Sequence, residues 1–412
     1  MSQLAEHLAE QRVDEPVSAA WERLQPVFDG IAEKAAQRER ARALDHDAVE
    51  TLVAAGYTSL RVPTEYGGAG LSLSEFYPFV VELGAADSNL VQALRAHQLH
   101  VEMVLANPDQ EYRDRWFRRI AAGEVVGNAV TEVNGVLGEH TTTVTVQPDG
   151  SWLLNGRKYY STGSLYADWI LVTAEVDGSV RGLAVRADAP GVRQVDDWDG
   201  FGQRLSASGT TVFENVVVDP AEVSRPGEGL SDHDAPNSLQ ALAQTVHLAA
   251  LAGLVTGAER EFVRYVRQRR RTFSHAAAQV PSRDPQVLQV LGEVSAAAYG
   301  ARAVFESLIR QFERVQAREI TGEVTAAELA ALDVATYQAQ QVISQQSLWA
   351  INHAFSVGGA TAVTEPLGLD RYWRNARVLA QHNPVIYRNR IIGDFLVNGT
   401  APGPQYGVGN IS

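Results

Sequence analysis

The chain has 412 residues, 45% of them hydrophobic, enough for one large core or two to three smaller ones. A formal charge of −14 argues against a nucleic-acid groove, which needs a basic face. Cysteine is absent, which excludes disulfides, thiolate nucleophiles and cysteine-ligated metals.

Residues 1–16 mix acids and bases without the apolar stretch of a secretory signal, and no run approaches twenty uninterrupted apolar residues, so a cytoplasmic protein is expected. Residues 1–122 then read as a helical domain. From Asp47 to Gly56, Val49, Leu52 and Val53 share one face, and Gly56 is placed to end the helix. RVPTEYGGAGLS, with Pro63, Gly67, Gly68 and Gly70, reads as a tight non-repetitive loop. The long apolar stretch after it is too apolar for a surface helix and is expected to be buried on several sides. His97 and His100 lie three apart within it, but no third ligand stands out, and no metal site is expected.

Residues 123–232 change character. Threonine-, valine- and aromatic-rich runs alternate with the turn dipeptides Asp149-Gly150, Asn155-Gly156 and Asp177-Gly178, each read as a hairpin in an antiparallel β domain. No GxGxxG links a strand to a helix, which argues against a Rossmann unit. Residues 233–412 return to helix, with apolar-periodic runs at roughly 238–270, 286–318 and 325–355 that predict an antiparallel bundle. A tail from Leu369 to Gly399 reads as one or two helices broken at Pro384.

Seven segments recur in a familiar order: RVPTEYGGAGLS, AVTE, LNGRKYYSTG followed by ADW, DGFGQRLSASGTTVFENVVV, RTF, VGGATAV and DRYWRNAR. Together they resemble the acyl-CoA dehydrogenase superfamily over nearly the whole chain. That resemblance implies an N-terminal helical domain, a β-barrel domain and a C-terminal helix bundle. It also implies a homotetramer with flavin between the β domain and a neighbour's bundle. The dehydrogenases' catalytic glutamate falls at Asn383, and an amide cannot serve as a general base. WRNARVLAQHNP and DWDGFGQRLSASGTTVF resemble instead the dibenzothiophene monooxygenase branch. His382 and Pro384 match that branch, whereas Leu379 and Asn383 replace its histidine and aspartate.

The resemblance places Ser161 at the position facing flavin N5; its other reading is a strand-end serine bonding its own backbone. Asn128 and Thr131 correspond to flavin-edge and flavin-ring contacts, against the alternative of polar strand positions in solvent, and Tyr160 belongs to the same cofactor-binding set. His97 resembles the acid/base histidine of the branch, with a satisfied core histidine and His100 as alternatives. His382 corresponds to the flavin-side histidine, against a helix-capping role. Arg270 and Phe273 match an RxxF whose arginine reaches a neighbouring subunit's flavin phosphate, with Arg271 as substitute or a solvated helix end as the plain reading. Ala360 and Thr361 correspond to a close backbone approach to flavin, and Trp198 and Phe201 to pocket wall or β-domain core.

Carried together, these matches imply a two-component monooxygenase. Reduced FMN, with FAD as the alternative, would come from an NAD(P)H:flavin reductase. Oxygen would pass from a flavin C4a-hydroperoxide to a small hydrophobic substrate, aromatic or containing sulfur or nitrogen. The catalytic residues expected are His97, Asn128, Ser161 and His382. The alternatives are an acyl-CoA dehydrogenase with a relocated base and a non-catalytic scaffold.

Overall fold

The computed structural model describes residues 17–132, 141–224 and 237–403. The N-terminal helices are α1 (Val17–Ala41), α2 (His46–Ala54), α3 (Leu73–Ala93), α4 (Arg95–Ala106) and α5 (Gln110–Ala121). In α1 the buried set Ala20, Leu24, Phe28, Ile31 and Ala35 recurs every three or four residues, the spacing of one helical face. Asp45 caps α2 by accepting from Ala48 N, and Gly56 ends the segment at φ 77°. α3 opens on a Ser72–Glu75 capping box, and its second half is buried all round, as the apolar run predicts. The helix is interrupted at Asp87 (φ −156°, ψ 106°), whose Oδ1 accepts from both the backbone N and Nδ2 of Asn89.

The sheet contains β1 (Val126–Ala129), β2 (Thr143–Val146), β3 (Trp152–Lys158), β4 (Trp169–Val176), β5 (Ser179–Arg186), β6 (Val192–Val195) and β7 (Thr210–Val218). β4 carries β5 along one edge, while β1 and β2 share the other at its two ends. The sheet then continues through β3 and β7 to β6. β1 and β2 both run parallel to β4, which corrects the purely antiparallel expectation. Asp149-Gly150 and Asp177-Gly178 do connect neighbouring antiparallel strands. Asn155-Gly156 does not: it lies inside β3, where the register against β7 shifts. Asn155 Oδ1 accepts from Asn215 N at 2.8 Å, and a Cβ on Gly156 would lie 2.6 Å from Thr142. The dipeptide therefore serves a bulge and a close crossing by residue 142, not a chain reversal.

Beneath the sheet, Lys158 Nζ donates to Glu132 Oε1 at 2.7 Å, with side chains 0% and 9% exposed. Glu132 also accepts from Thr141 N, Thr141 Oγ1 and Thr142 N. Glu132→Ala is expected to lower stability by about 3–5 kcal/mol, because the ammonium stays buried without its acid. Lys158→Met should cost less, since Glu132 keeps its backbone donors. Chemical denaturation at fixed protein concentration ranks the two, and the reverse order would show that Glu132 is not the pivot.

The C-terminal helices are α6 (Leu239–Gln268), α7 (Pro285–Ile320), α8 (Ala326–Ala354), α9 (Asp370–Gln381) and α10 (Arg388–Asn398). The first three coincide closely with the apolar-periodic runs, and Pro384 stands in the break between the last two. By length and composition, Ala241–Gln268 could cross a membrane, but its apolar window is wholly buried in the bundle. α3 packs directly on α6: a Cβ on Gly253 would lie 2.4 Å from Val81 O. One polar network joins all three domains. Asn89 donates to Glu39 and accepts from Leu205 N; Gln203 N donates to Asn375, and Arg374 reaches both Glu39 and the Phe201 carbonyl. This network sets how the β domain meets the bundle.

Candidate active site

The chain leaving β3 is stitched between two neighbours. Tyr159 N donates to Thr131 O at 2.9 Å, Ser161 N to Gly209 O at 3.0 Å, and Asn128 N to Thr162 O at 3.1 Å. Between these bonds Tyr160 is forced to φ 55°, a left-handed conformation that a tyrosine adopts only when its surroundings dictate it. The residue is 49% exposed, its ring edge-on to Tyr159 and Trp198. Gly163 follows at φ 77°, where a Cβ would lie 2.2 Å from Ala93 O, so glycine brings this turn onto the end of α3.

Two buried polar atoms stand out on this turn. Ser161 is fully buried, yet its Oγ has no partner among the described residues, and the same holds for Oδ1 of half-buried Asn128. Nearby hydroxyls are paired: Thr162 Oγ1 with Ser208 Oγ at 3.0 Å, and Ser208 Oγ with Ser206 Oγ at 2.8 Å. Leaving a buried polar group unpaired costs about 1–3 kcal/mol, so such atoms mark where a ligand's polar edge belongs. Thr131 is exposed at the rim beside them. Trp198 donates from Nε1 to Gly202 O, while Phe201 is 54% exposed and stacks on Trp373.

His97 and His100 occupy different surroundings. His97 Nε2 lies 2.9 Å from Thr58 O, and Val126 N donates to its Nδ1 at 3.3 Å. Both ring nitrogens are thereby engaged with backbone, in the neutral tautomer protonated at Nε2, and burial lowers the pKa to about 4. This geometry matches the satisfied core histidine, holding β1 two residues before Asn128. His100 packs edge-on to Trp116 at 4.2 Å, with a pKa lowered by burial to about 3.

His382 follows the last turn of α9 and is exposed at the surface of the single chain, with its ring packed against that of His247. The His247 ring lies 4.0 Å away at 38°, and Nδ1 of His382 lies 3.4 Å from Asn383 Oδ1. Burial first, then the Arg95 cation, lowers the His382 pKa to about 3. His247 is held well below its ordinary value by burial, His382 and Arg95. Asn383, at the dehydrogenases' glutamate position, is buried and donates to Gln244 Oε1.

Arg270, Arg271, Phe273, Ala360 and Thr361 lie exposed along one edge of the bundle. A Cβ on Gly359 would lie 3.0 Å from the Phe273 ring, and Arg269 donates to Val357 O while lying over that ring. The structure thus brings the RTF turn against the VGGATAV turn. It also places His382 beside His247 and Asn383 against Gln244, and sequence reasoning passed over both His247 and Gln244. His247 carried the same signal that singled out His97, a histidine within an apolar run, AQTVHLAALAGLV.

A helical domain, a curled sheet and a helix bundle, meeting around buried partnerless polar atoms, define a three-domain oxidoreductase scaffold. The chain belongs to the acyl-CoA dehydrogenase family: the profiles of its N-terminal, middle and C-terminal domains match residues 26–124, 128–216 and 245–386. Dibenzothiophene monooxygenase of Rhodococcus qingshengii is 29% identical over 92% of this chain and 94% of its own. The "Probable FMNH2-dependent monooxygenase SfnC" of Pseudomonas putida is 28% identical over 91% and 94%. FMN-bound TdsC from Paenibacillus sp. A11-2 superposes with a TM-score of 0.85 at 27% identity, covering 94% of this chain and 99% of that one.

Proposed function

We propose that this protein is a two-component flavin-dependent monooxygenase of the cytoplasm, supplied with reduced FMN by an NAD(P)H:flavin reductase. The observation that carries the reading is the pair of buried, partnerless atoms, Ser161 Oγ and Asn128 Oδ1, on a turn whose backbone is held in a left-handed conformation at Tyr160. The likeness to an FMN-bound structure and to an FMNH2-dependent relative supports FMN over FAD. When bound, reduced FMN activates molecular oxygen, so that one atom enters the substrate and the other leaves as water.

The chain's own residues do the rest. Ser161 and Asn128 hydrogen-bond the reactive edge, with Thr131 and the Tyr160 ring at its rim. His97 acts as a positioning residue, fixing β1 behind Asn128 through Val126 N. His382, neutral at pH 7, can donate from one ring nitrogen and accept at the other, which suits it to orient oxygen or relay a proton. Arg270, Ala360 and Thr361 serve the cofactor's phosphate end from a neighbouring copy. Exposed apolar side chains support a homotetramer: Tyr299 is 70%, Trp349 50%, Ile386 79% and Val397 82% exposed in the single chain. Asn383 argues against the dehydrogenase alternative, as its amide offers no base.

The decisive experiment adds photoreduced FMN to the purified protein, admits oxygen and follows product with candidate organosulfur and aromatic substrates. Little flavin should copurify, and dilution to monomer should abolish reduced-flavin binding. Stoichiometric FAD surviving gel filtration, with thioester oxidation, would establish the dehydrogenase instead.

A further inference from the structure

Asn383 stands where both related branches are expected to carry a carboxylate, and the change alters what the side chain can do. A carboxylate accepts at both oxygens, whereas an amide accepts only at Oδ1 and donates only from Nδ2, so the direction of an amide matters. Asn383 is 5% exposed, and its Nδ2 donates to Oε1 of Gln244, itself 2% exposed on α6. With the donor end turned to Gln244, Oδ1 is the end presented to His382, 3.4 Å from Nδ1 of that ring.

That contact selects a tautomer. His382 is neutral at pH 7, so its ring carries one proton, on one nitrogen or the other. An oxygen that only accepts is met favourably by the nitrogen that holds the proton. The other tautomer would set the Nδ1 lone pair against the lone pairs of Oδ1. The His247 ring, 4.0 Å away and tilted by 38°, packs on His382 and restrains its tilt. Nε2 makes no hydrogen bond to the described residues, and His382 is exposed in the single chain. Nε2 is therefore the nitrogen left for whatever binds against this surface.

We propose that Gln244 and Asn383 are positioning residues that fix His382 in the tautomer protonated at Nδ1, so that Nε2 serves the reaction as an acceptor. The use of Nε2 rests on the monooxygenase reading; the tautomer does not. An aspartate at residue 383 would accept from Nδ1 whichever way it turned and would need no orienting partner. An asparagine needs one, and Gln244 supplies it from α6. So held, the ring accepts a hydrogen bond from an O–H or N–H group brought against it and donates none in return.

Solid-state NMR of the full-length protein, with its histidines labelled in nitrogen-15, reads the tautomer at about pH 7.5, above the ordinary histidine pKa. The His382 signals are those that vanish in His382→Gln. In the wild type the proton should sit on Nδ1. Gln244→Met frees the Asn383 amide to turn, so the Nδ1-protonated form should lose its majority. Coupled product should then fall roughly two- to tenfold, the reach of one hydrogen bond, with reduced-FMN uptake unchanged. Adding Asn383→Asp to Gln244→Met should restore both the tautomer and the coupling, a rescue that a merely structural role for Gln244 would not give. A wild-type ring protonated at Nε2, an unchanged tautomer in Gln244→Met, or a double variant that stays mixed would each overturn the proposal. A tautomer that shifts while coupling does not would overturn the acceptor role of Nε2. The expected tautomers in a wild-type protein that takes up no reduced FMN would uphold the positioning and sink the monooxygenase reading alone.

Discussion

Replacing His382 by alanine is expected to leave flavin uptake nearly intact while cutting coupled product formation roughly 30- to 1000-fold, the cost of one positioned partner at about 2–4 kcal/mol. The ring sits where α9 ends, against His247 on one side and Asn383 on the other, so its orientation is set by packing. Its depressed pKa keeps it neutral at working pH, with one donor and one acceptor available. Without it, activated oxygen that is not transferred leaves as hydrogen peroxide, which should rise as product falls. A fully coupled variant at wild-type rate would reduce His382 to a helix cap. Asn383→Glu, made in parallel, should produce no thioester oxidation, and measurable oxidation there would favour the dehydrogenase alternative.

A steep loss of stability between pH 6.5 and about 4 is the second large effect expected. His97, His100 and His247 are buried with folded pKa values of about 4, about 3 and well below 6.5, against an ordinary value of 6.5. Above 6.5 both folded and unfolded chains hold these rings neutral, and their contribution is fully present. As pH falls through 6.5 the unfolded chain takes up protons that the folded chain refuses, so stability falls, and His97 stops adding to the loss near pH 4. These three rings contribute a slope of up to about 4 kcal/mol per pH unit near pH 5, to which His382, also lowered to about 3, adds. The carboxylate Glu132 is held low by Lys158, Thr141 and its backbone donors, so its own loss begins in the usual carboxylate range and continues below it. Thermal unfolding midpoints from pH 7 to 5 measure the histidine window. His100→Phe, which removes an unpartnered ring packed on Trp116, should flatten the slope by about a quarter. A midpoint flat from pH 6.5 to 5 would mean that these rings already find partners.

What the amino-acid sequence determined by itself is what depends on neighbours along the chain. The three long helices of the bundle follow from apolar periodicity, and the hairpin at Asp177-Gly178 from the left-handed backbone that residues 177 and 178 adopt. The loss of a base at Asn383 and the YSTG turn were legible for the same reason: each lies in a contiguous segment with its own register. Asn155-Gly156 has identical local chemistry to a hairpin, yet it became a bulge, because Thr142, just before β2, and Asn215 of β7 come to it from elsewhere in the chain. His97 offered one signal for two roles, and only the carbonyl of Thr58 and the amide of Val126 assigned its nitrogens. Gln244 and His247 are separated from His382 by more than a hundred residues, so no local pattern groups them. Their meeting was decided by the packing of α9 beside α6, which lays the His382 ring on His247 and Asn383 against Gln244, because close-packed helices set which side chains face one another.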